Sequence, residues 1–166
     1  MEEILKKFNE RFLGPSMQFF NLRYESLEGE EIFFSCKFDK VCGNPMGFVQ
    51  GGMIAAALDD ATSAAMISGY AEKKAPMTTD LHVLFHRPLA IGKASMKVNI
   101  IKLGKRSATS EGRIYDADGK LVATLLHTAQ PVDKAYKSYR RNYETSMFSF
   151  WSRSGNRGDS RSKICQ

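Results

Sequence analysis

The run from Gly51 to Ser68 constrains this chain more than any other. It has the composition of a helix, is small or apolar on nearly every side, and yet carries two adjacent acids in its middle. Six alanines (Ala55, Ala56, Ala57, Ala61, Ala64, Ala65) favour an α-helix intrinsically. Met53, Ile54, Leu58, Met66 and Ile67 fill the remaining faces, and Gly69 follows as a C-cap signal. A helix that is apolar all round is expected to be buried, by a sheet wrapped about it or by a second helix, either of which small residues let approach closely. At helical i±3 and i±4 spacing, Asp59 meets Ala55, Ala56, Thr62 and Ser63, and Asp60 meets Ala56, Ala57, Ser63 and Ala64. At 3.6 residues per turn the two carboxylates cannot point the same way. A charged group in such surroundings is costly without partners, and desolvation raises its pKa toward that of a usable base. One acid is therefore expected to reach a polar pocket or a subunit interface. The competing reading places both on a narrow solvent-facing strip or at the cap of a neighbouring loop.

The start of this helix is the second feature. Gln50-Gly51-Gly52 opens it, after Asn44-Pro45-Met46-Gly47. Free N–H groups at a helix N-terminus favour developing negative charge, and glycine lets a substrate carbonyl come close to the backbone. That is the chemistry of an oxyanion hole. Gly51 and Asp59 are eight residues apart, roughly 12 Å along a helix, too far to grip one carbonyl together. If both act, a two-fold dimer should place Asp59 of one subunit beside Gly51 of the other.

Around this helix the chain reads as strands and turns. Apolar positions at Ile4, Leu5, Phe8 and Phe12 predict a helix over 2–13, ending at Gly14-Pro15. Strands are expected over 19–26 and 31–38, around a turn at Leu27-Glu28-Gly29-Glu30. Residues 40–49 read as a loop, and loop signals continue after the long helix through Ala75-Pro76. Four more strands are expected over 78–86, 93–103, 106–116 and 120–130, the last closing before Pro131. Helix, two strands, long helix and four strands is an α+β pattern with an antiparallel sheet.

The formal charge of +6 invites a nucleic-acid or membrane reading, but its location argues otherwise. Residues 133–166 hold eight Lys and Arg against three acids, which leaves the rest nearly neutral. The expected organisation is a compact domain over 1–132 and a basic C-terminal arm over 133–166. The Ser/Gly/Arg-rich stretch from about 152 is expected to be disordered. The aromatic part of the arm (Tyr136, Tyr139, Tyr143, Phe148, Phe150, Trp151) is expected to pack on the body, with contact to acidic lipid or nucleic acid as the lesser alternative. Cys36, Cys42 and Cys165 are odd in number and form no Cys-x-x-Cys pair, which points away from a metal site or disulfide framework and toward a reducing, cytoplasmic setting. His82 and His86 share a strand face without an acid or cysteine between them there, so no metal site is expected. His127 reads as a structural histidine. Lys102, Lys105 and Arg106 read as a solvated hairpin tip that could alternatively meet coenzyme A phosphates.

Asn44-x-x-Gly47-x-x-Gln50-Gly51-Gly52, with Asp59 seven residues after Gly52, resembles the hotdog-fold thioesterases of the phenylacetate-pathway type. Arg87-Pro88-Leu89-x-x-Gly92, Gly104-Lys105-Arg106 and the run from Asp116 to Ala123 also fit, so the resemblance extends over roughly residues 43–129. It implies a hotdog fold, in which a long central helix is wrapped by a curved antiparallel sheet, here with an N-terminal helix and a basic C-terminal tail added. It implies hydrolysis of an acyl-CoA or related acyl thioester without metal or other cofactor, in a homodimer with shared active sites or a homotetramer. In that reading Asp59 is the nucleophile or general base, and the Gly51 N–H, with Gly52, polarises the thioester carbonyl. Asn44 positions the acyl group or water, while Ser63 and Thr78 or Thr79 supply a water-orienting hydroxyl. Gln50 departs from the pattern, which has His there; a neutral amide neither carries charge nor shuttles protons. Two alternatives stand beside thioester hydrolysis: a non-catalytic acyl-CoA-binding module, and a hydratase or dehydratase of the same fold, which Gln50 disfavours.

Overall fold

The computed structural model describes residues 1–10 and 14–133. The expectations for the basic arm lie on 134–166, outside the described residues. Residues Met1–Asp133 group as one compact unit, with three α-helices and six strands among its described residues.

Helix α1 spans Glu2–Glu10 and buries Leu5 and Phe8, with Ile4 partly buried against the same core. Phe12, which completed the predicted periodicity, lies outside the described residues. The strand expected over 19–26 is corrected. A short helix α2 (Pro15–Phe19) comes first, and strand β1 begins only at Arg23 and ends at Glu28. Gly14 in extended conformation caps α2, and Pro15 sits in its first turn, where proline's fixed φ suits a helix start. Asn21 ends it in the left-handed region (φ 45). Its N–H donates to the Gln18 carbonyl and that of Leu22 to the Met17 carbonyl, which is a Schellman closure. The aromatic pair Phe19-Phe20 suggested a strand, but local helix-start and helix-stop chemistry won.

Strand β2 (Glu31–Phe38) follows a tight turn at Gly29, and a 3₁₀ turn over Lys40–Cys42 leads to the long helix α3, Gly51–Gly69. Strands β3 (Lys74–Phe85), β4 (Gly92–Leu103), β5 (Ala108–Tyr115) and β6 (Leu121–Asp133) complete one antiparallel sheet in the order β1-β2-β4-β5-β6-β3. The chain therefore leaves β2 near one edge and re-enters at β3 on the other. Helix α3 is that crossing: at 1.5 Å per residue it is about 28 Å long, enough to traverse the four strand spacings of about 4.8 Å between them. It lies on the sheet face with Ile54, Leu58, Ala61, Ala65 and Met66 buried. The small-residue composition has a direct use. A side chain at Gly112 of β5 would collide with Thr62 Cγ2 at 2.9 Å, and one at Gly69 with Leu103 Cδ1 at 2.5 Å.

Gly69 is thus the last helical residue, kept bare by packing, and the C-cap is Tyr70. The left-handed position falls on Ala71 (φ 50), whose N–H reaches the Ser68 carbonyl while that of Glu72 reaches Ile67. Both prolines expected to bound strands lie inside them. Pro76 of β3 stands opposite Pro131 of β6. Proline has no N–H to give a ladder, but β3 is an edge among the described residues, and β5 pairs with β6 no further than Ala129, so no third strand among those residues is there to miss the donors. The remaining strand boundaries fall within two residues of those expected.

Candidate active site

The middle of α3 meets the sheet edge through a cluster of polar side chains. The Asp59 carboxylate is 35% exposed and lies with Oδ1 at 3.4 Å from Thr78 Oγ1, 3.5 Å from Ser63 Oγ and 3.6 Å from His127 Nδ1. Fully buried His127 is held from both sides, by Thr62 Oγ1 at 2.8 Å from Nδ1 and by Thr78 Oγ1 at 3.0 Å from Nε2. Burial pulls the His127 pKa below its ordinary value, against the opposite pull of Asp59. The imidazole is therefore neutral, and its contact with Asp59 is a dipolar one rather than an ion pair. The Thr62 hydroxyl also lies 2.8 Å from the Leu58 carbonyl and 3.0 Å from that of Asp59. When it donates there, Nδ1–H donates to Thr62 and Nε2 accepts from Thr78. In the other tautomer, Nε2–H donates to Thr78, whose hydroxyl then donates to Asp59. The tautomer of a buried ring thus sets which way the Thr78 proton points.

The choice between Thr78 and Thr79 is made by a β-bulge. Along β3, Leu81, Val83 and Phe85 pair with His127, Leu125 and Ala123 of β6 and share their helix-facing side. Strict alternation would put Thr79 on that side and Thr78 on the other. The register shift between Thr78 and Asp80 inserts one residue and turns Thr78 inward, the re-aiming that a bulge produces. Thr79 instead donates to the Thr128 carbonyl. Thr78 joins Asp59 and Ser63; Thr79 does not.

Asp60 points elsewhere. Its Oδ1 accepts a 2.9 Å hydrogen bond from the Ser16 hydroxyl of α2, and its buried Oδ2 has no partner among the described residues. Burial pushes its pKa up to about 6, the nearby Asp59 adds to this, and the Ser16 hydrogen bond opposes it.

The amino end of α3 forms a second locus. Among the described residues, the N–H groups of Gly51 and Gly52 have no backbone acceptor. Gln50 is the N-cap, its Oε1 accepting from the Met53 N–H at 3.1 Å, and its side chain occupies the space a Gly52 side chain would need. Asn44 closes its own loop by accepting from the N–H groups of Met46 (2.9 Å) and Phe48 (3.1 Å) through Oδ1. An open cleft of about 330 Å³ lies here, lined by Asn44, Phe48, Gly51, Ile54, Phe85 and Arg87 among others.

The sequence-derived residues therefore divide into two groups within one chain. Asp59, Ser63 and Thr78 form the first; Asn44, Gln50, Gly51 and Gly52 form the second. His127 and Thr62 belong with the first and were missed. A histidine in a strand carries no local signal, and only the pairing of β6 with β3 beneath α3 brings it to Asp59.

A central helix crossing an antiparallel six-stranded sheet, with an acid at mid-helix and free N–H groups at its start, narrows the comparison with known proteins. Residues 46–123 match the family model of the thioesterase superfamily. The fold is that superfamily's hotdog fold. The matched segment includes Gly51, Asp59 and Thr78 and leaves Asn44 and His127 outside. Among solved structures, a thioesterase-superfamily protein is 25% identical, with a TM-score of 0.68 over 77% of this chain and 96% of that one. A thioesterase from Haemophilus influenzae is 19% identical, with a TM-score of 0.71 over 80% and 94%. A phenylacetic acid degradation-related protein from Ralstonia eutropha is 23% identical, with a TM-score of 0.68 over 76% and 98%. No curated protein matches the chain. No helix among the described residues is long and apolar enough to cross a membrane.

Proposed function

We propose that this chain hydrolyses acyl thioesters, acyl-CoA in particular, at sites shared between the two subunits of a homodimer. One observation carries the reading: the two groups of site residues abut the same edge strand at two points seven residues apart. Asp59 lies at Thr78, and Gly51 lies under the ring of Phe85. Strand β3 is twelve residues long and unpaired on its outer side among the described residues, with Met77, Leu81, Leu84 and Phe85 exposed. Such an edge invites a second strand. Antiparallel pairing of β3 with its own copy, about a two-fold axis through His82, sets Thr78, across the bulge, opposite the partner's Phe85. Asp59 then comes beside the partner's Gly51, which the separation within one chain forbids.

In this site the thioester oxygen accepts from the N–H groups of Gly51 and Gly52, where the helix N-terminus favours the charge that develops on it. Asp59 takes a proton from water as the water oxygen attacks the carbonyl carbon. Collapse of the tetrahedral intermediate breaks the C–S bond, and the thiolate leaves and is protonated to the thiol. Direct attack by Asp59 through an anhydride is the variant route. Thr78 and Ser63 orient the water, and His127, linked to Thr78 and Thr62, holds the Thr78 hydroxyl. The departure at Gln50 leaves the backbone donors in place.

Thiol release from a panel of acyl-CoA substrates tests the reading. Wild type should cleave at least one of them. Asp59→Asn should lose about 10²–10⁴-fold in kcat, and Asp60→Asn should keep most activity. Absence of cleavage, full activity in Asp59→Asn, or loss only in Asp60→Asn refutes it. Mixing Asp59→Asn with Gly51→Val should restore activity in hybrid dimers; no recovery despite measured subunit exchange refutes the shared site. Water addition to an enoyl-CoA without thiol release would favour the hydratase alternative.

A further inference from the structure

We propose that Phe85 is the specificity-determining residue of this site, walling the cleft so that acyl groups branched next to the carbonyl are excluded and unbranched or planar ones are taken. The inference rests on the thioester reading above. Phe85 is an aromatic residue at the end of β3, on its helix-facing side opposite the small Ala123, and it remains 53% exposed. Its ring is nevertheless placed against the helix start. Cζ, Cε1 and Cε2 lie 3.2, 3.5 and 3.6 Å from where a Cβ on Gly51 would stand. The tip of the ring therefore covers the flank of the residue whose N–H is free to donate. A carbonyl oxygen within hydrogen-bond reach of that N–H, about 2.9 Å, brings its carbon and the first acyl carbon alongside the ring.

Much of the remaining lining is also apolar. Phe48, Val49, Ile54 and Leu89 line the cleft, and Arg87 is its cationic member. Phe85 has only two side-chain torsions, so it yields less readily than a long aliphatic chain would. A planar or unbranched acyl group can slide along the ring face. A methyl group on the carbon next to the carbonyl projects out of that plane and into the ring. Leu84, one residue earlier, points to the other side of the sheet and is equally exposed, at 52%, which makes it a control for general loosening of the strand.

The test compares wild type, Phe85→Ala and Leu84→Ala. It reads the ratio of kcat/KM for butyryl-CoA over isobutyryl-CoA, and the ratio of affinities for the matching S-(2-oxoalkyl)-CoA ketones, which keep a carbonyl and cannot be hydrolysed. Thermal midpoint and sedimentation establish that each variant is folded and in the wild-type oligomeric state. Phe85→Ala should lower the straight-over-branched ratio at least about tenfold, the scale on which a pocket discriminates one methyl group, and Leu84→Ala should leave it unchanged. A ratio that moves less than about threefold in Phe85→Ala, or moves equally in Leu84→Ala, overturns the proposal. If no variant cleaves thioesters but Phe85→Ala relieves discrimination among the ketones, the hydrolase reading fails and the wall stands. If wild type cleaves and the ratios do not move, the wall fails alone. If no ketone binds and no thioester is cleaved, both fail.

Discussion

Asp60→Asn should make stability less sensitive to rising pH between about 4 and 6, and the size of the effect follows from where the carboxylate sits. The side chain accepts one hydrogen bond from Ser16, leaves Oδ2 buried without a partner among the described residues, and lies beside the carboxylate of Asp59. Its pKa is raised from 3.8 to about 6. At about 1.4 kcal/mol per unit, ionising it in the folded chain costs about 3 kcal/mol relative to the unfolded one. The sign follows from linkage: between the two pKa values the folded state holds the extra proton, so stability falls as pH rises. The contribution is fully present below the unfolded value of 3.8 and is gone above about 6. Asparagine has the same shape, keeps an acceptor for Ser16 and never ionises. Its buried amide adds a fixed offset that does not depend on pH. Urea unfolding of both proteins from pH 4 to pH 8, at constant protein concentration because association also contributes, should show Asp60→Asn gaining about 3 kcal/mol on wild type across that range. A difference that stays flat with pH would show that Asp60 is solvated or paired, and would refute the argument.

Three further outcomes follow from the same geometry. Thr78→Val should lower kcat about 10- to 100-fold with little loss of stability, whereas Thr79→Val should leave kcat within about twofold, because only Thr78 reaches Asp59 and His127; steady-state kinetics checks both. Ala71→Gly should raise stability by about 1 kcal/mol in thermal unfolding, because Ala71 closes α3 in a left-handed conformation that glycine adopts without penalty. Gly112→Val should cost about 1–3 kcal/mol, because its side chain would enter the space of Thr62 and Leu58.

Much of the fold was legible because its signals are local. The alanine-rich composition marked α3 to within a residue of its end, alternation marked β2 over its full length, and Gly29 and Gly119 marked turns where φ is positive. The misreadings have local causes too. Phe19-Phe20 suggested a strand that Gly14-Pro15 and Asn21 overrule. Pro76 and Pro131 suggested strand ends, although Pro76 lies on an edge strand and Pro131 lies past the last residue of β6 that β5 pairs with.

For the site, the sequence by itself determined the inventory: an acid in mid-helix, glycines at the helix start, and hydroxyls one turn and one strand away. It did so because helix periodicity and glycine's lack of a side chain are properties of adjacent residues. Only the tertiary structure decided where these side chains stand relative to one another. The Ser16 hydrogen bond and burial separate Asp60 from Asp59, a single inserted residue in β3 selects Thr78 over Thr79, and strand pairing carries His127 across the sheet to the helix. These depend on register and on contacts between residues far apart in the chain, which spacing along a sequence does not encode.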